Sequence, residues 1–473
     1  MVRDGRVGEH RRGRREYNRG ERSRQQSPEK RKREERMTHA YPRHLAAFVV
    51  ERWPEVAPLR VGVGERDLSV RLPEIEVLEH LISVSYQASL MREEERPVTF
   101  RVILIDPEDL DPEAGPPSGL HRLVFAEERP FEEDELRRLS PAADYDRTLI
   151  GARLDEEGEL WVWGLVQSGA RWILRTQGGR EAAPPMPGVP VLHVSGPGRI
   201  EFRRGSRLVA RLENGELHGR TVDVFASRWL PESFAPVRAE ISALHAEARR
   251  EASEPWAPLD PDLMRMIGQH VLRRMISVLR SARHGGTLLF VPAERTEEFS
   301  SDNLYVAYKH RFLDEEARRR YRSLIVGATN RLVEVHGKGG RDFYPRAVGW
   351  HEYQVSNDPT LAELDEAIFE IANLIAALAA VDGAVVLSKR YELLGFGAEI
   401  SVALEKVLTV HRALDVEGHR TIEESADGVG TRHRSAYRLV SALPGSIAVV
   451  VSQDGSARFV TRTAKGVTYW RQP

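Results

Sequence analysis

A chain of 473 residues, 41% hydrophobic and 30% charged, has length for two or three ordinary cores and the composition of a water-facing globular protein. It contains no cysteine, which excludes disulfides, thiolate zinc sites and thiol catalysis, and fits a reducing cytoplasm. The formal charge is −2 and unevenly spread: residues 1–36 hold 14 Lys+Arg against 7 Asp+Glu.

Those first 36 residues form a basic arm that could touch nucleic acid or an anionic surface. Arginine outnumbers lysine 62 to 7 over the whole chain, however, so the arm shares a general bias and nucleic acid is not the expected partner. We read 1–36 as a disordered extension ahead of Met37. The charged N-terminus lacks the apolar run of a signal peptide. The longest apolar stretch, Ile371 to Leu387, is interrupted by Asn373, Asp382 and Gly383, so it reads as a buried helix followed by a strand. No membrane partner is expected.

From 37 to 235 the texture is α+β. Helices are expected near Pro42–Glu51 and Ile75–Met91. Strands are expected at Val98–Ile105, Leu160–Val166, Arg171–Arg175 and Ser206–Leu212. Asn214-Gly215 marks a hairpin into a strand from Glu216. Gly178 to Pro190 reads as a Pro/Gly-rich loop. Residues 236–261 form a linker: a charged helix over 236–252, then the proline-rich hinge Ser253 to Pro258.

Residues 262–473 read as an α/β domain, with helices and strands alternating. Leu263, Met266, Ile267, Val271, Met275 and Leu279 mark an amphipathic helix ending at Gly285-Gly286, and strand Thr287–Pro292 follows. In 293–357 only Ser323–Gly327 suggests a strand. Asp358-Pro359 opens a helix whose apolar face runs Leu361, Leu364, Ile368, Ile371, Ile375, Leu378. A strand is expected at Ala384–Leu387, a helix at Ser435–Leu443 and a strand at Ser446–Val451. A hairpin through Asp454-Gly455 then reaches a final strand near Ala457–Thr463.

Two motifs carry chemistry. Gly430-Thr431-Arg432-His433-Arg434-Ser435-Ala436 places two guanidiniums and an imidazole behind a glycine where a helix begins, a pattern suited to polyphosphate. Asp382-Gly383-Ala384 places a carboxylate at the start of a strand, where it could hold Mg²⁺ or Mn²⁺. Thr431, Ser435 and Ser452 add hydroxyls, and Gly383 leaves room for a sugar or base. Taken singly, each piece has a plain structural reading: Asp-Gly as a turn, Arg-His-Arg as a solvated face, His433 as a structural histidine. Their joint placement at strand–helix junctions suggests nucleotidyl chemistry. Gly337-Lys338-Gly339 lacks the Ser/Thr of a P-loop, and Gly395-Phe396-Gly397 lacks a third glycine and reads as the end of a turn.

The pair Asp382-Gly383-Ala384 and Gly430-Thr431-Arg432-His433-Arg434 resembles the signature of bacterial diadenylate cyclase domains, over roughly residues 262–465. Val449-Val450-Val451-Ser452 is similar to that family's strand with a phosphate-binding serine. The resemblance implies a central mixed sheet flanked by helices, and condensation of two ATP into cyclic di-AMP with release of pyrophosphate. It implies Asp382 as metal ligand. ATP would be held by Gly383, Ala384, Ile400, Gly430, Thr431, Arg432, His433, Arg434, Ser435 and Ser452, with Ile400 against adenine. Catalysis would fall to Asp382, Arg432, His433 and Arg434. Each site holds one ATP, so a homodimer or higher homo-oligomer with facing sites is implied. The chain departs from the family in a longer Ile400–Gly430 connection, in Asp427-Gly428-Val429 before the basic motif, and in an expansion over 293–357. Residues from about 43 to 235 resemble the DACNV-type sensor domain found before some of these cyclases, through stretches such as Ser83 to Leu90. That resemblance implies regulation by a small-molecule or protein signal.

Overall fold

The computed structural model describes residues 39–56, 72–116, 119–169, 186–213, 215–218, 223–282, 284–312, 314–337, 347–453 and 455–472. The reading of 1–36 and the strand expected at Arg171–Arg175 lie outside these residues, as does most of the Gly178–Pro190 loop. Tyr41–Pro473 form one compact unit built on two large mixed sheets flanked by helices.

The first sheet follows two helices, α1 (Pro42–Arg52) and α2 (Ile75–Leu90). Proline at the first turn of α1 presets φ there, and Leu45, Ala46 and Val49 supply its buried stripe. A short hairpin, β1 (Arg92–Glu93) and β2 (Arg96–Pro97), leads to the central strand β3 (Phe100–Leu104), buried at every position. Then come β4 (His121–Pro130), α3 (Glu133–Leu139), β5 (Thr148–Leu154) and β6 (Leu160–Gln167). The sheet is completed by β7 (Pro190–Gly196), β8 (Arg199–Arg204), β9 (Arg207–Glu213) and β10 (Glu216–His218). Among the described residues it has eight strands in the order β10-β9-β8-β7-β3-β5-β6-β4, with β3 and β5 parallel. The β9–β10 hairpin expected at Asn214-Gly215 is present, with Gly215 at φ +72.

A short helix α4 (Trp229–Glu232) and α5 (Ala235–Glu251) connect to the second sheet. Val237 and Ile241 of α5 join the second sheet's core, and the hinge after it is pinned to the same body. Ala257 N donates to Gly337 O at 3.0 Å, and Val348 N to Pro258 O at 2.9 Å. The linker of 236–261 thus packs with the C-terminal half.

The second sheet uses α6 (Leu263–Ser281), β11 (Gly286–Val291), β12 (Val306–Arg311), α7 (Glu315–His336), α8 (Trp350–Val355) and α9 (Pro359–Leu378). It continues through β13 (Ala384–Ser388), β14 (Leu393–Ile400), β15 (Thr409–Ala413), β16 (Thr421–Ser425) and α10 (Thr431–Ala442). It ends with β17 (Ile447–Val451), β18 (Ala457–Thr463) and β19 (Gly466–Gln472). Its order is β12-β14-β13-β11-β17-β18-β19-β15-β16. Strands β13, β11 and β17 are buried at every position because both faces are covered. Leu288, Phe290, Val385, Leu387, Ile447 and Val449 face the core with α6, α7 and α9. Leu289, Val291, Val386, Ala448 and Val450 face the core with α10. Asp358 caps α9 as expected, accepting from Leu361 N at 2.8 Å.

Three expectations are corrected. Ser323–Gly327 is not a strand but the middle of α7. Tyr321, Leu324, Ile325, Ala328, Leu332 and Val333 are buried at helical spacing, which a five-residue apolar window does not reveal. Gly395-Phe396-Gly397 does not end a turn but lies inside β14. A side chain on Gly395 would meet His310 O of β12 at 2.6 Å, so the glycine serves strand packing. Ala457–Thr463 is not the last strand: β19 follows and pairs with it.

Candidate functional site

Strand register brings the two motifs to one end of the second sheet. β11 and β13 run parallel with Thr287 beside Ala384, and β17 runs antiparallel with Gly286 beside Val451. Ala384 pairs with Ala398 on β14, and Ile400 ends that strand opposite Val306. The residues before β11 and β13, and those just after β14 and β17, therefore share one sheet end. Asp382, Gly383, Ile400 and Ser452 stand there, spaced by strand neighbours about 5 Å apart. Helix α10 lies on this sheet with its first turn at the same end. The Arg432 Nη1 atom is 3.0 Å from where a Cβ on Gly285 would stand, against the Val451 carbonyl.

The first turn of α10 has the groups that an anion would use. Gly430 is its N-cap and offers no capping side chain, and the turn holds no acidic residue. Amide N–H groups are left for an acceptor, while Arg432 and Arg434 sit at the positive end of the helix dipole, where cations are disfavoured until an anion arrives. Thr431 is exposed; Arg432, Arg434 and Ser435 are half-buried. His433 differs: it is 8% exposed and lies beside Tyr437, ring centroids 6.3 Å apart. Ser452 opens the β17–β18 turn, its N–H donating to Ser456 O and its carbonyl accepting from Gly455 N.

Asp382 is 92% exposed at the side chain. Lys309, on β12, places its Nζ 4.0 Å from the Asp382 carboxylate and 3.4 Å from that of Glu399, and donates to the Asp382 carbonyl at 3.1 Å. Neither Lys309 nor Glu399 was singled out as a site residue by sequence. Their signal is structural, since β12 and β14 must pair before they meet. The described residues hold no cluster of three or more His, Asp or Glu arranged for a metal. Asp382 with Glu399 beside it offers the one or two carboxylates that Mg²⁺ or Mn²⁺ takes, with water and substrate phosphate completing the shell, but Lys309 partners both and would have to be displaced first.

Gly383 has a different reason from the one expected. Its φ is +122, and a side chain would lie 2.4 Å from the Gly397 carbonyl carbon. The space beside it is filled by β14 backbone, so this glycine is required by close strand approach.

The opposite end of β11 and β13, where α/β ligands usually collect, is closed by the Ser388–Glu392 turn. Ser388 N donates to Glu392 O at 2.9 Å, and burial pulls the Lys389 amine down to about 8.

Residues 68–167 match the family model of the probable sensor domain DACNV. That match spans α2 through β6 and lies within the first sheet's part of the chain. No curated protein and no solved structure matches the chain. No helix among the described residues is long and apolar enough to cross a membrane. The N-terminal part of the chain thus carries a probable sensor domain joined to an α/β body with a cation-and-carboxylate sheet end.

Proposed function

We propose that residues 262–473 form a diadenylate cyclase governed by the N-terminal sensor region. The observation that supports this reading is that strand register sets Asp382 and the uncapped, arginine-bearing first turn of α10 at the same sheet end. In the reaction, the 3′-hydroxyl oxygen of each ATP attacks the α-phosphate of the other. Each attack breaks the bond to pyrophosphate and releases one proton, giving cyclic di-AMP and two pyrophosphates. Arg432 and Arg434 would hold the triphosphate and offset charge building on it, with the α10 amides, Thr431, Ser435 and Ser452 as further donors. His433, buried beside Tyr437, would seat the first turn, and Ile400 would lie against adenine near Gly383 and Ala384. Asp382 would hold the divalent metal, with Glu399 next to it. When bound, Mg²⁺ or Mn²⁺ lowers the pKa of the attacking hydroxyl. Two such sites must face each other, so a homodimer or larger assembly belongs to the proposal.

A second reading, a catalytically silent receptor for ATP or cyclic di-AMP, is favoured by Lys309, whose ammonium already partners Asp382 and Glu399. The deciding experiment incubates the full chain with ATP and Mn²⁺ or Mg²⁺ and resolves products by mass. Cyclic di-AMP with pyrophosphate supports the cyclase. Tight ATP binding with no turnover in a folded dimer supports the receptor.

A further inference from the structure

A row of ionisable side chains crosses the first sheet. Arg101 on β3, His193 on β7, Glu201 on β8, Arg211 on β9 and His218 on β10 are successive register partners, so they stand in line on one face. The other face, holding Phe202, packs against Trp53 after α1, with ring centroids 6.0 Å apart. Charges in such a row are costly unless paired. Most are paired. Glu201 meets Arg203 at 2.7 Å and also contacts Arg211, which reaches Glu213 at 3.7 Å. Burial pushes the Glu201 carboxyl up, yet Arg211 and Arg203 outweigh it and hold it well below the usual range. Burial, with Arg203 and Arg101 nearby, keeps His193 neutral.

Arg101 is the exception. It is 1% exposed, and among the described residues its side chain has a single hydrogen bond, from Nη2 to Ser168 Oγ at 3.3 Å. Its Nε has no acceptor, and no described carboxylate stands at ion-pair distance. Burial drags the guanidinium down to about 10, opposed at longer range by Tyr145, Asp146 and Asp144. Tyr145 packs edge-on to His193, centroids 6.1 Å apart, and burial holds its hydroxyl up at about 12, so it stays a proton donor. Arg203, Glu201 and Arg211 keep 13 to 16% of their side chains exposed, so the row reaches water at the Glu201–Arg211 end.

We propose that Arg101, with Ser168 and Tyr145, anchors a binding site for a small oxyanion, a carboxylate or phosphate group, on this face of the N-terminal sheet, and that this is the signal the sensor region reads. The proposal rests on the sensor match and not on the cyclase reading. The face is well placed to report. Arg280 near the end of α6 is within electrostatic reach of Arg211, Glu201 and Glu213. Arg199 Nη1 lies 3.7 Å from where a Cβ on Gly455 would stand, in the turn that Ser452 opens. Both segments support the sheet end that holds Arg432 and Ser452.

The test uses the full chain carrying Arg432→Ala and Arg434→Ala, so that anion binding at the candidate nucleotide site does not contribute. Inorganic phosphate and malonate are titrated separately by calorimetry, with Tm followed in parallel. Saturable binding of either, with a raised Tm, is expected; phosphate alone names a phosphate-bearing signal and malonate alone a carboxylate. Arg101→Met should weaken that binding about tenfold or more, and Ser168→Ala should weaken it less. No binding of either anion, or equal binding in both variants, overturns the proposal. If Arg101→Met does not fold, Ser168→Ala and Tyr145→Phe decide, and unchanged affinity in both overturns it.

Discussion

The two sheets treat charge in opposite ways. At the end of the second sheet, Asp382, Lys309, Glu399 and Thr431 keep their water. Across the first sheet, Glu201, Arg211, His193 and Arg101 are held inside, and their charge states are set by burial and neighbours. Solvated groups at a sheet end are free to serve a ligand at little structural cost. Buried groups have already lost their hydration, so changing one alters stability as well as binding.

The sharpest way to break this contrast is Asp382→Asn. Cyclic di-AMP formation should vanish while Tm stays where it was, and normal turnover in that variant would sink the cyclase assignment. Next is Arg432→Ala with Arg434→Ala, expected to cost on the order of 10²-fold or more in turnover, again with little change in Tm. A denaturant titration of Glu201→Gln should show the reverse: a loss of about 3 kcal/mol, because Arg203 and Arg211 are left buried without their carboxylate. An unchanged midpoint there would mean that the row is wetter than its burial indicates.

Acid should act on the first sheet through His193. The folded state resists protonating it, whereas the unfolded chain takes a proton near the ordinary value of 6.5. The stability it contributes is present above that value and lost as pH falls below it. Tm should therefore drop between about pH 8 and pH 5, and drop less in His193→Gln. His218 and His245, also pushed down by burial, would account for the remainder. The smallest effect is expected from Asp358→Ala, which removes the α9 cap and its pair with the partly exposed Arg331. A slight fall in Tm with unchanged turnover would fit.

What the sequence reveals follows from range. The apolar period of α6 and α9, the Asp358-Pro359 start and the basic first turn of α10 are local patterns, and the structure has each of them. Strands β12, β15 and β16 are missed because they are short and half-exposed, so their residues carry no clean alternation. The same limit applies to the sites. Arg432 and Arg434 are visible as a motif, but the closeness of Arg432 to Gly285 and of Lys309 to Asp382 depends on strand order. The Arg101 row is hidden for the same reason: its members sit on five separate strands, and only pairing lines them up.

The tight approach of Gly383 to Gly397 changes how genetic data on this chain should be read. A Gly383→Ala variant would force the β13 entrance away from β14 before any substrate arrived, so its loss of activity would carry no information about nucleotide contact. Asp382, its immediate neighbour, has no such confound. Of two adjacent positions in one short motif, one reports on chemistry and the other on architecture.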